Sequence, residues 1–281
     1  MRVAITTILV LIFGTLLLFL VQIYPSPSPN VALAISLCVE FVAAPIFYFI
    51  VKGLENIGRL PLIFSTQITN RNKYVRMSIS YLYRIEVNGK YLLVKNRKWN
   101  HYQLVGGAYK AFSTVMPIYR KYGVKPDKIF STEDGIAKSD LRFMVPGRNV
   151  LAMIDWFNSQ KDREISQWRE FCEELLTTKI LDKDVFRYVD YTYVGVVQTP
   201  LRKAKHLPNQ EMFLFEIFDL KPTREQIPLL EELLMKGDTD QVKWVDRNTI
   251  ETLGFDQATR EKPFDIGAHT KWAIEEKWSE S

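Results

Sequence analysis

Apolar and polar positions are spread unevenly along this chain. From Val3 to Tyr24 the sequence VAITTILVLIFGTLLLFLVQIY carries no charge. A turn with three prolines, YPSPSPN, follows, and Val31 to Val51 is apolar again, broken by Glu40. As helices, runs of this length cross a hydrocarbon core about 30 Å thick. The pattern predicts a two-helix transmembrane hairpin over residues 1–53. The first run is long for a secretory signal, and the second run argues against cleavage. Arg2 precedes the first span, and Lys52, Arg59, Arg71, Lys73 and Arg76 follow the second. Positive flanks stay cytoplasmic, so both termini are expected to face the cytoplasm, with the turn on the far side. Glu40, inside the second span, reads either as an oligomer contact or pore-lining group, or as a protonated carboxyl bonded to its neighbour helix.

Residues 54–75 form a connector of mixed character. From Ser78 the period changes to two. SISYLYRIEV alternates, Asn88-Gly89 follows, and YLLVKN continues, which predicts a β-hairpin closed by a type I′ turn. Trp99 to Val105 leads into Gly106-Gly107, and LRFMV after Asp140 is a short strand. Asn149 to Phe157 reads as a short helix. Asp162 to Thr177 reads as an amphipathic helix, with Ser159 and Asp162 as its capping signature. Its apolar face is Ile165, Trp168, Phe171, Cys172 and Leu175. Strands are expected at Arg187–Thr199 and Glu211–Leu220, on either side of the basic loop LRKAKHLPNQ. A helix at Thr223–Met235, a strand at Val242–Val245 and helices at Asn248–Leu253 and His269–Lys277 complete the chain. This order predicts one α+β domain over residues 76–281.

Composition changes the picture in one respect. Of 281 residues, 37 are Lys or Arg and 32 Asp or Glu, a net charge of +5. All but one of each sign fall from Lys52 onward, which excludes a uniform soluble domain. The bias is mild and suits an anionic ligand or an anionic membrane face without requiring either. Nothing points to duplex nucleic acid. Cys38 and Cys172 fit no metal or disulfide spacing, and His101 and His269 have no ligand-spaced partners and read as structural.

Candidate chemistry lies in Arg169-Glu170-Phe171-Cys172-Glu173-Glu174-Leu175. On a helix, Glu170, Glu173 and Glu174 share one face. Three carboxylates suit Mg²⁺ or Mn²⁺, with Arg169 one turn before Glu173 to orient it. The alternative is an ordinary solvated face. This segment resembles the core of the Nudix box. Trp99 followed by Leu104-Val105-Gly106-Gly107 resembles the Nudix strand that ends in Pro-Gly-Gly. EMFLFEIF, and Lys243-Trp244-Val245 followed by Ile250 and Leu253-Gly254, resemble later Nudix elements. The resemblance implies a Nudix-like α/β/α sandwich, with residues 108–161 as an insertion. The sequence also departs from that pattern. Lys161 stands at the box's first glutamate, Asp155 at its first glycine, Leu176 at its last glycine and Val105 at the proline. Asp162 and Glu164 remain as alternatives for the missing carboxylate.

Taken with the N-terminal spans, the chain resembles the two-transmembrane Nudix effectors of CBASS antiphage systems, which carry a SMODS-associated Nudix domain. That resemblance implies a cyclic nucleotide second messenger, a synthase that makes it, oligomerisation on activation, and disruption of the inner membrane in abortive infection. Trp99, Tyr102, Tyr109 and Phe112 are candidates to stack on bases, and Arg202, Lys203, Lys205 and His206 to pair with phosphates. Each aromatic could equally be core, and the basic loop a solvated hairpin or a lipid contact. Two alternatives stand beside this reading. One is a membrane-anchored Nudix hydrolase using Glu173 and Glu174, and the other is a membrane scaffold without ligand.

Overall fold

The computed structural model describes residues 59–127, 139–204 and 208–280, together with Pro29. The chain divides into two compact units, Met1–Phe64 and Ser65–Ser281. Of the first, the described part includes a short helix at Leu60–Phe64. The expected membrane hairpin, residues 1–53 with Glu40, lies outside the described residues. Among the described residues no helix is long and apolar enough to cross a membrane. The expectations of a transmembrane hairpin, a multi-pass location in the inner membrane, a lipid-bilayer partner and membrane disruption are corrected accordingly. Hydropathy of a segment is a condition for spanning and does not by itself place a helix in lipid.

The described residues of the second unit form ten strands. In chain order they are β1 (Tyr74–Arg84), β2 (Glu86–Val87), β3 (Lys90–Lys95), β4 (Tyr102–Ala108), β5 (Lys125–Pro126), β6 (Arg142–Pro146), β7 (Asp190–Gln198), β8 (Arg202–Lys203), β9 (Gln210–Lys221) and β10 (Val242–Asp246). The helices are α1 (Met116–Tyr122), α2 (Val150–Asn158), α3 (Trp168–Phe171, continued by a wider π turn over Cys172–Leu176), α4 (Ile227–Lys236), α5 (Arg247–Glu251) and α6 (Ala268–Glu275).

β1 is the spine of the sheet. One edge pairs in parallel with β9, from Val75↔Gln210 to Arg84↔Asp219. The other edge is shared by β6, paired from Tyr74↔Pro146 to Ser78↔Arg142, and β4, paired from Ser80↔Ala108 to Tyr83↔Val105. β4 passes between two sheets. Its first residues pair with β3 (Leu93↔Leu104), and its last with β1. The result is a mixed half-barrel flanked by helices. Alternation along β1 explains its central place. Val75, Met77, Ile79 and Tyr81 are fully buried on one face, while Arg76, Ser78, Ser80 and Leu82 line a cleft on the other.

The Asn88-Gly89 turn is present, with φ of 49° and 76° and Val87 opposite Lys90. Two positive φ values are what a type I′ turn needs. The strand it closes is the two-residue β2, because β1 pairs with β4 instead. The helix expected from Asp162 to Thr177 is much shorter. Gln160 and Asp162 take φ of 58° and 59°, and Arg163 bridges to Ala111. Arg163 turns inward at 2% exposure, donates to the carbonyls of Phe157 and Glu164, and lies 3.8 Å over the Phe157 ring. A buried guanidinium bonded to these carbonyls outweighs the helical pattern, so the helix begins at Trp168. Its N-terminus has Gln167 and no side-chain cap, in place of the expected Ser159 and Asp162.

The core beneath the cleft gathers Leu82, Leu93, Leu104, Phe215, Ile217, Val245, Ile250 and Trp272. Residues 108–161 supply α1, β5, β6 and α2, so the insertion forms part of the sheet.

Candidate functional site

A cleft of about 590 Å³ opens over the half-barrel. Its floor is the polar face of β1, with Arg76, Ser78 and Ser80. Beside it stand Gly106 and Gly107 of β4, Arg142 of β6, Arg202 of β8 and Glu211, Phe213 and Phe215 of β9. The rim comes from Asn96–Gln103 and from Asp265–His269.

One wall is aromatic. Alternation along β9 puts Phe213 and Phe215 on the same side, stacked with centroids 5.7 Å apart and planes at 20°. His269, at the start of α6, continues the ladder on Phe215 at 5.7 Å and 19°. Burial and the neighbouring His101 push the pKa of His269 down to about 3, so it is a neutral ring at neutral pH. Burial also lowers His101, against a hydrogen bond to Gln103 and the charge of Asp265. Trp99 closes the rim at 38% exposure. The Asn96 side chain accepts from the backbone N–H groups of Lys98 and Trp99, both at 2.8 Å, and this local turn fixes the loop that carries the indole.

Beside this wall the cleft is cationic, with Arg76 and Arg202 lying 5.7 and 5.2 Å from the Phe213 ring and each arginine next to a carboxylate. Arg76 donates to both oxygens of Asp127, the shortest bond being 2.9 Å. Arg142 pairs with Asp140 at 3.0 Å, and burial lowers its pKa against the pull of Asp140. Arg202 pairs with Glu211 at 3.0 Å. Guanidinium groups present rigid forks that match phosphate oxygens.

The acidic helix lies behind the glycine pair. Arg169 is its hub, donating to Glu164 (3.1 Å), Glu170 (2.6 Å), Glu173 (3.3 Å) and the Ala108 carbonyl (2.7 Å). Burial opposes its charge, but Glu170 and Glu164 outweigh burial and raise its pKa. Glu174 turns elsewhere and accepts from the Gly106 N–H at 2.9 Å. Burial pushes its pKa up to about 8, the Gly106 bond opposing, so it is largely protonated at neutral pH. Burial also raises Glu170, against Arg169. Both glycines are required by close approach. A Cβ on Gly107 would stand 2.2 Å from Glu170 Oε1. One on Gly106, where φ is +146°, would stand 2.1 Å from the Tyr81 carbonyl oxygen.

This geometry corrects the metal expectation. Among the described residues no group of three or more His, Cys, Asp or Glu could hold a metal ion. Glu170 and Glu173 are turned onto the Arg169 guanidinium, which already supplies the positive charge, and the neutral Glu174 faces a backbone amide. The residues therefore do not fit the Mg²⁺ or Mn²⁺ that the box pattern implies.

A family model described as the SMODS-associated NUDIX domain matches residues 74–274. The chain belongs to this family. The match runs from the start of β1 into the last turn of α6. No curated protein matches the chain. The comparisons thus identify no cyclic nucleotide, synthase or protein partner, and those expectations, including oligomerisation, are not carried forward.

Of the residues singled out in the sequence, Trp99 and Arg202 line the cleft of this SMODS-associated NUDIX domain. Tyr102 is core, its hydroxyl donating to the Asp240 carbonyl at 3.0 Å. Tyr109 is fully buried, bonded to Glu216 and Gln167. Phe112 is 53% exposed and, like Lys203, is not part of the cleft lining. Lys205 and His206 lie outside the described residues. The sequence reading missed Arg76, Arg142, Glu211, Phe213 and Phe215, and took His101 and His269 as purely structural. A signal was available in the alternation Arg76, Ser78, Ser80 inside an otherwise apolar strand. A polar stripe there needs a polar cleft to face.

Proposed function

We propose that this domain is a binding module for a phosphorylated nucleotide, which it holds without hydrolysing. The observation that carries the reading is the convergence of three arginines, Arg76, Arg142 and Arg202, with a stacked aromatic wall, Phe213, Phe215 and His269, in one cleft. Phosphates take the arginine end. A base takes the aromatic end, where Trp99 at the rim offers a second face and Asn100 offers hydrogen bonds. The domain to which this applies is residues 76–281, with 108–161 inserted.

Retention without turnover follows from the acidic helix. Hydrolysis in a Nudix site needs carboxylates that hold a divalent cation and a water. Here those carboxylates are occupied by Arg169 or neutralised by burial. The helix then acts as a structural support for Gly106 and Gly107.

The test is calorimetric titration of the full-length chain with ADP and with inorganic pyrophosphate. ADP is expected to bind more tightly than pyrophosphate, because only ADP has a base for the wall. Phe213→Ala is expected to shrink that difference, and because the Phe213 ring also backs Arg202 it weakens pyrophosphate as well. Equal affinity for the two probes would refute the nucleotide reading.

A further inference from the structure

Glu211 is buried between two arginines that are held to different degrees. Arg76 has 4% of its side chain exposed, and its carboxylate partner Asp127 has 2%. Three hydrogen bonds join that pair, so Arg76 is fixed from the insertion side. Arg202 is 33% exposed, and two hydrogen bonds, 3.2 and 3.0 Å, join it to one oxygen of Glu211. The other oxygen accepts from Arg76 at 3.4 Å.

We propose that Glu211 is an internal stand-in for ligand phosphate, and that an incoming anion replaces it on Arg202. Three observations support exchange at Arg202. Its guanidinium lies 5.2 Å from the Phe213 ring and 5.4 Å from the Trp272 ring. Those ring faces keep the cation in place when the carboxylate is displaced, so little ordering is lost. Glu211 retains Arg76 after the exchange, so no buried charge is left alone, the situation that makes breaking a buried pair costly. Arg202 lines the cleft, while its backbone is held to β9 by the pairs Arg202↔Glu211 and Lys203↔Gln210. The step is an exchange of ionic hydrogen bonds, and no covalent bond or proton moves.

The consequence is selectivity by charge density. A weakly charged anion gains too little at Arg202 to displace a carboxylate already seated there. A diphosphate, which can engage the guanidinium fork through two oxygens, gains enough. The proposal takes the phosphate end of the cleft from the reading above, and it does not depend on what the base does.

The test uses the full-length chain and pyrophosphate as probe. Arg202→Gln is expected to weaken binding about tenfold or more. Glu211→Gln is expected to strengthen it about tenfold by removing the competitor. In the Arg202→Gln background, Glu211→Gln should give no gain, because the competition acts through Arg202. A loss or no change on Glu211→Gln alone would overturn the proposal, as would an equal gain in both backgrounds. Should Glu211→Gln not fold, ¹⁵N spectra of the wild-type arginine side chains decide. Pyrophosphate is expected to shift the Arg202 Nε signal more than that of Arg76, and the reverse overturns the proposal. ADP titrated in parallel separates the two readings. If ADP binds no better than pyrophosphate, the aromatic wall has no ligand role, while the exchange at Arg202 still stands or falls on its own cycle.

Discussion

Replacing Gly107 by alanine tests whether the acidic helix is seated against the glycine pair as described. The new Cβ would lie 2.2 Å from Glu170 Oε1 and 2.3 Å from its carboxyl carbon. The carboxylate is the end of a flexible side chain, but it is not free to leave. It is bonded to Arg169 at 2.6 Å, and the Glu170 N–H is bonded to Tyr81 Oη at 3.1 Å. Overpacking of this kind costs about 1–3 kcal/mol, and a buried polar group that loses its partner costs about 1–3 kcal/mol more. We expect about 2–6 kcal/mol in total. In a domain of this size each kcal/mol lowers Tm by roughly 2–4 °C, so the fall should be about 4–24 °C. Gly195 is the control, since a Cβ there meets nothing within 4 Å. Thermal unfolding of Gly107→Ala and Gly195→Ala, followed by circular dichroism, makes the comparison. Adding Glu170→Ala to Gly107→Ala should cost less than the sum of the single changes, because the collision disappears with the carboxylate. If Gly107→Ala melts no lower than Gly195→Ala, the packing of α3 on β4 is misplaced.

Other expectations concern protonation. Glu174 has its pKa raised from an ordinary 4.5 to about 8 in the fold, so the folded state holds a proton that the unfolded state releases between those values. Its contribution is therefore full below about pH 4.5 and lost as pH rises through about 8. Glu174→Gln should flatten that decline in urea midpoints measured from pH 5 to 9, and an unchanged slope would contradict it. His269 behaves in the opposite sense. Its pKa is lowered from 6.5 to about 3, so its contribution is full above about pH 6.5 and lost as pH falls toward 3. His269→Gln should remove part of the acid sensitivity between pH 6.5 and 4, read as Tm against pH. Gly106→Ala, with φ of +146° and a backbone oxygen in the way, should destabilise more than Gly107→Ala in the same melt.

Local chemistry was legible in the sequence where one residue's neighbours decide its conformation. Asn88-Gly89 and the strand signals on either side of it needed no tertiary information. The box fragment from Arg169 to Glu174 and the glycines at 106 and 107 were legible as a pair of elements, although more than sixty residues separate them. Their meaning was less legible. Only the fold shows that Arg169 takes up Glu164, Glu170 and Glu173 and that Glu174 is pressed against Gly106. The long helix from Asp162 failed for a similar reason. Its apolar spacing is real, but Arg163 gains more by turning inward onto Phe157 and the carbonyls around it. The cleft itself was mostly hidden, because Arg76, Arg142 and Phe213 come from three strands brought together by parallel pairing of β1 with β9 and antiparallel pairing of β1 with β6. The N-terminal fifth was read from hydropathy alone, and the described residues contain no helix that could cross a membrane.

The central claim is that this cleft binds a phosphorylated nucleotide and leaves it intact. The most direct measurement is to incubate the full-length chain with ADP, with and without Mn²⁺, to follow binding by calorimetry, and to recover the nucleotide by chromatography. The account predicts that ADP binds, that Arg202→Gln weakens binding at least tenfold, and that the nucleotide is recovered unchanged whether or not Mn²⁺ is present. Failure to bind ADP, or Mn²⁺-dependent release of phosphate that disappears in Glu173→Gln, would contradict it.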